Sequence, residues 1–90
     1  MNTNLTTLEA ALLTKCLNYD TREDQMQDNY TNADLSDAHK ICGGKHQAAG
    51  VIGSLCKKRF IEDPANDEDS MIWLTTNGIN AIFDYKEGKV

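Results

Sequence analysis

The stretch Gly43-Gly44-Lys45-His46-Gln47-Ala48-Ala49-Gly50-Val51-Ile52-Gly53-Ser54-Leu55-Cys56-Lys57-Lys58-Arg59-Phe60-Ile61 decides how the rest of this 90-residue chain is read. Its glycine pair does not comfortably continue a helix and serves as a stop and a turn. Beyond the pair, Ala48, Val51, Ile52 and Leu55 recur at three- and four-residue steps, which predicts a helix over 44–59 with those residues facing inward. The outward face is then Lys45, His46, Gln47, Gly50, Gly53 or Ser54, Lys57 and Lys58, and the run closes on Arg59 before Phe60. The stretch reads as the second of two helices joined by a tight turn.

The first helix of that pair lies just upstream. Thr31 or Asn32 can cap it, Leu35, Ala38 and Ile41 fall on one side, and Asp34, Asp37 and Lys40 fall on the other. Further towards the N-terminus, Thr6 and Glu9 form a capping box in which each side chain takes the other's backbone amide. A helix beginning there presents Leu5, Leu8, Leu12, Leu13, Cys16 and Leu17 as an apolar face through roughly Tyr19. Between these helices, Asp20 to Asn29 offers only Met26 for burial and reads as a polar connection with room for an extra helical turn.

Downstream, Phe60 to Glu62 and Met71 to Leu74 are short runs rich in β-forming residues, separated by Pro64-Ala65-Asn66-Asp67 with its turn chemistry. They predict a β-hairpin. A last helix from Thr76 or Asn77 presents Ile79, Ile82, Phe83 and Tyr85. The expected architecture is a single domain, residues 1–90 with its core at about 5–85, mainly α with a small β-hairpin, in the order α-α-α-β-β-α.

Bulk properties narrow the function classes. No apolar run approaches a membrane span, and the start of the chain lacks the basic and apolar regions of a signal peptide, so a cytoplasmic protein is expected. Three cysteines, Cys16, Cys42 and Cys56, are an odd number at wide spacing and read as reduced thiols. A net charge of −5 argues against indiscriminate binding to nucleic acid, which needs an excess of Lys and Arg. The distribution is more telling. From Thr31 to Phe60 the bases Lys40, Lys45, Lys57, Lys58 and Arg59 face only Asp34 and Asp37, whereas Ile61 to Leu74 holds Glu62, Asp63, Asp67, Glu68 and Asp69 and no base.

The spacing Leu35-x-x-Ala38-x-x-Ile41, a turn, Val51-Ile52-x-x-Leu55-x-x-x-x-Phe60-Ile61, then Trp73-Leu74-Thr75-x-x-Gly78 resembles a winged helix-turn-helix domain of the MarR and PadR kind. The resemblance covers roughly Thr31 to Asp84. It implies a DNA-binding transcriptional regulator whose recognition helix, 44–59, enters the major groove of double-stranded DNA while the hairpin wing lies beside it. Lys45, His46, Gln47, Gly50 and Ser54 would then face base edges or phosphates, with Lys57, Lys58 and Arg59 near phosphates. Gln47 is the natural base reader, since its amide can pair bidentately with adenine.

Against that pattern, the wing is acidic at Asp63, Asp67, Glu68 and Asp69, where phosphates would be repelled, and the recognition helix has no Arg before Arg59. The chain also stops soon after the last helix, which leaves the first or the last helix to form any homodimer. These departures support an alternative in which the fold serves as a protein-interaction or inhibitory module. Its acidic wing, and the small residues Ala49, Gly50, Gly53 and Ser54, would meet a protein partner or imitate nucleic acid.

Catalytic and metal chemistry finds little support. His39, Cys42 and His46 bracket the glycine pair without a further Cys or His pair nearby, Gly43-Gly44-Lys45 lacks the upstream Gly and the following Ser or Thr of a phosphate loop, and Asp63 to Asp69 lacks the Gly and closing Glu of a calcium loop. With two histidines and no nucleophile motif, the reading is a non-enzyme without metal or cofactor.

Overall fold

The computed structural model describes residues 5–63 and 70–88. Five helices succeed one another among them: α1 (Thr7–Cys16), α2 (Arg22–Gln27), α3 (Leu35–Cys42), α4 (Lys45–Lys57) and α5 (Thr76–Lys86). α1 is central and packs against α3, α4 and α5, while α3 lies on α4 and α2 on α5. Leu12, Leu13, Leu55, Ile72, Leu74 and Ile82 are among the fully buried residues at their junction.

α1 starts at the expected capping box, with Thr6 Oγ1 accepting from the Glu9 amide and Glu9 Oε1 accepting from the Thr6 amide. It ends at Cys16, short of the expected Tyr19, because the next amides are taken by another partner. The Asn18 and Tyr19 amides donate to Gln25 Oε1 at 2.9 and 3.3 Å. Gln25 is fully buried, and its Nε2 donates onward to Asn29 Oδ1 and to the Tyr30 carbonyl. One amide side chain thus ties the end of α1 to the chain leaving α2, with both of its polar atoms satisfied, as burial requires.

The stretch expected as a polar connection contains α2. Of its six residues only Gln25 is fully buried, and Met26 packs half-buried against the core. Arg22 adds a polar anchor: the guanidinium reaches α5, donating to Asn80 Oδ1 at 3.0 Å, Asp84 Oδ1 at 2.7 Å and Glu87 Oε2 at 3.3 Å, and it lies 5.9 Å from the Phe83 ring centroid.

α3 is capped by Asp34, in a second capping box with Asp37, rather than by Thr31 or Asn32. Thr31 is buried instead, its hydroxyl donating to the Ile72 carbonyl.

The β-hairpin wing expected from Phe60–Glu62 and Met71–Leu74 is not formed: among the described residues there is no β-strand, only the isolated antiparallel bridges Ile61↔Leu74 and Asp34↔Met71. The chain is mainly α, and the α-α-α-β-β-α order is corrected to five helices. The reason is a division of hydrogen bonds. On one side Glu62 and Thr75 amides donate to the Trp73 and Phe60 carbonyls; on the other, Ile72 and Leu35 amides donate to the Ala33 and Ser70 carbonyls. Segment 71–75 therefore meets two neighbours briefly instead of pairing with one at length, and α5 begins at once, with Thr75 as its cap. The expected turn at Pro64 to Asp67 lies outside the described residues.

Candidate functional site

α3 and α4 meet across Gly43 and Gly44, which adopt φ values of 85° and 135°. Two successive positive φ values strain any residue with a Cβ, so the glycine pair is what permits so short a turn. The Gly44 amide closes it by donating to the His39 carbonyl at 2.8 Å. Gly44 is also the N-cap of α4 and supplies no side-chain acceptor for the first amides of that helix.

The inward stripe of α4 is close to expectation: Ala48 and Leu55 are fully buried, while Val51 and Ile52 pack half-buried against the core. Lys45, His46, Gln47, Ala49, Gly50, Gly53 and Lys57 are exposed. Arg59, just past the helix, is exposed in left-handed backbone at φ 63°.

Two residues of the expected outward face are placed elsewhere. Ser54 Oγ donates to Glu9 Oε2 at 2.7 Å, and Lys58 Nζ lies 2.8 and 3.1 Å from the two Glu9 oxygens. Glu9 is only 2% exposed. Burial raises its pKa, but the Lys58 ammonium, the Thr6 amide and the Ser54 hydroxyl outweigh that, and the carboxyl stays below its ordinary value of 4.5. Ser54 and Lys58 therefore fix how α4 is rotated on α1 and set which face remains outside. A shallow groove of about 520 Å³ runs along this junction, lined by Thr6, Glu9, His46, Gln47, Gly50 and their neighbours.

No family model matches the chain, and no curated protein or solved structure matches it. The site is therefore read from its own chemistry. From Leu35 to Lys57 the chain carries one carboxylate, Asp37, against Lys40, Lys45, Lys57 and two histidines. α4 itself has no acidic residue.

Of the acidic residues assigned to a partner surface, Asp63 is exposed, and Asp67, Glu68 and Asp69 lie outside the described residues. His39, Cys42 and His46 are not gathered: among the described residues no three His, Cys, Asp or Glu side chains are placed to hold a metal ion. No described helix is long and apolar enough to cross a membrane. Sequence reasoning missed the Glu9–Ser54–Lys58 cluster. The one local signal was a carboxylate between Leu8 and Leu12, at a position that the packing of α1 had to bury.

Proposed function

We propose that the chain is a DNA-binding regulator that lays α4 in the major groove. The observation that carries this reading is an exposed α4 face free of carboxylates in a chain whose net charge is −5. Thirteen residues make a helix about 20 Å long, enough to follow a groove across several base pairs. Lys45, His46, Gln47 and Gly50 occupy its exposed N-terminal half, where the uncapped amides and the helix dipole favour phosphate.

Gln47 is the residue assigned to a base edge, by bidentate pairing with adenine. Lys45, Lys57 and Arg59 are assigned to phosphates, while Ser54 and Lys58 hold α4 in position through Glu9. Gly50 and Gly53 leave the backbone open to close approach, with nothing within 4 Å of a Cβ built on either.

The test is selection from a pool of randomised duplexes at low salt. Enrichment of one motif, lost in Gln47→Ala, supports the reading; no retained duplex at any salt concentration rejects it.

A further inference from the structure

We infer that Tyr30 and Trp73 form a docking surface, separate from the α4 face, for a lysine- or arginine-bearing segment of a partner protein. Three large hydrophobic residues are exposed among the described ones, and two of them touch each other. Tyr30 is 55% exposed and Trp73 37%, and their rings meet edge to face with centroids 6.2 Å apart at 83°. Single exposed apolar residues are ordinary, whereas paired aromatic rings on a surface are a feature of binding sites.

Backbone geometry turns the pair outward and holds it there. Ile72 and Leu74 are buried on either side of Trp73, so the alternation of extended chain directs Trp73 away from the core. Its carbonyl accepts from the Glu62 amide at 2.9 Å, and the preceding Ile72 amide donates to Ala33. The Tyr30 carbonyl accepts from buried Gln25, and Asn29 Nδ2 donates to the Leu74 carbonyl at 2.8 Å. The platform is thus ordered before any partner arrives, which lowers the entropic cost of binding.

Charge selects the occupant. Segments 28–34, 61–63 and 70–75, which build the surface, contain Asp28, Asp34, Glu62 and Asp63 and no Lys, Arg or His. Asp34 caps α3 and Asp28 accepts from the Tyr19 hydroxyl, but Glu62 and Asp63 are exposed and make no ion pair among the described residues. The Ile61↔Leu74 bridge sets Glu62 directly opposite Trp73. Aromatic faces attract cations, carboxylates beside them strengthen that attraction, and the same carboxylates repel nucleic acid. A guanidinium or ammonium stacked on the rings and paired with Glu62 satisfies both features.

Trp73 is the chain's only tryptophan, so its emission reads the site directly. The full chain is titrated with a short oligoarginine peptide and with its uncharged oligocitrulline counterpart, and affinity is measured separately by anisotropy of labelled oligoarginine. The expected result is a saturable emission change with oligoarginine alone, and affinity reduced about fivefold to tenfold in Trp73→Ala, Tyr30→Ala and Glu62→Gln. Glu23→Gln removes the same charge at the end of α2 that is anchored on α5, and it should leave affinity unchanged. Equal weakening by Glu23→Gln and Glu62→Gln would mean general attraction to an acidic protein and would overturn the inference. So would an equal response to oligocitrulline or to single-stranded DNA, or an emission change that follows protein concentration with dimers in sedimentation. None of these outcomes bears on duplex binding by α4.

Discussion

Gly78 lies so close to Phe60 that a Cβ built on it would stand 1.8 Å from the Phe60 carbonyl oxygen. The neighbouring bonds explain the approach: the Thr75 amide donates to that same carbonyl at 3.1 Å, and the Thr75 hydroxyl donates to the Arg59 carbonyl at 2.6 Å while accepting from the Gly78 amide. Thr75 and Gly78 together fasten the start of α5 to the chain leaving α4. Gly78→Ala should therefore cost about 3 kcal/mol or more, since backbone has to move. Gly53→Ala, in the open interior of α4, should stabilise by about 0.5–1 kcal/mol. Urea unfolding followed by circular dichroism measures both, and similar effects at the two sites would refute the close-approach account.

Glu9 makes folding pH-dependent. Its folded pKa is held below 4.5, chiefly by Lys58 against the opposing effect of burial, so its contribution is fully present above the unfolded value. That contribution is lost as pH falls through 4.5 towards the lower folded pKa. Glu9→Gln should lower stability at pH 7 and flatten the acid limb of the stability curve. Lys58→Met strands a buried carboxylate and should cost about 2–4 kcal/mol at pH 7, with the loss shrinking in acid. An unchanged acid limb in Glu9→Gln would show that other groups set it.

Arg22 should govern α2 alone. Its ion pairs with Asp84 and Glu87 are about one-third exposed, so Arg22→Ala should cost only about 1 kcal/mol globally. Locally the loss is larger in consequence, because the apolar anchorage of α2 is confined to half-buried Met26. Amide exchange within Arg22–Gln27 should accelerate well beyond that of α1 or α4. Uniform acceleration across all helices would contradict this picture.

What the sequence made legible follows from the range of the interactions involved. The Thr6–Glu9 box and the Gly43-Gly44 turn are settled by residues within a few positions of one another, and both are found where the spacing places them. The inward stripe of α4 obeys helical periodicity for the same reason. α2 was legible only as room for an extra helical turn, because its anchor Arg22 acts across 62 positions, on Asp84. The hairpin reading failed on competition: Met71 to Thr75 has strand propensity, but Ala33 and Phe60 both claim its backbone groups. At the candidate site, exposure of Lys45, Gln47 and Lys57 could be read from the helical pattern. The inward turn of Ser54 and Lys58 could not, because their partner Glu9 is 45 and 49 positions away.

That rotation of α4 gives the sharpest test of the proposed function. Each phosphate neutralised by a lysine or arginine contributes about −0.9 to the slope of log affinity against log salt on duplex DNA. With Lys45, Lys57 and Arg59 on phosphates, the slope should be near −3, roughly three such contributions. Lys45→Ala and Lys57→Ala should each reduce its magnitude by about one. Lys58→Met removes the same charge but from an ammonium seated on Glu9, so it should leave the slope nearly unchanged when measured at a temperature where the variant remains folded. Gln47→Ala should weaken binding to the selected motif by about 1–3 kcal/mol without altering the slope, since a base contact releases no counterion. If Lys58→Met lowered the slope as much as Lys45→Ala, Lys58 would have to leave Glu9 on binding, and α4 would turn on α1 as it enters the groove.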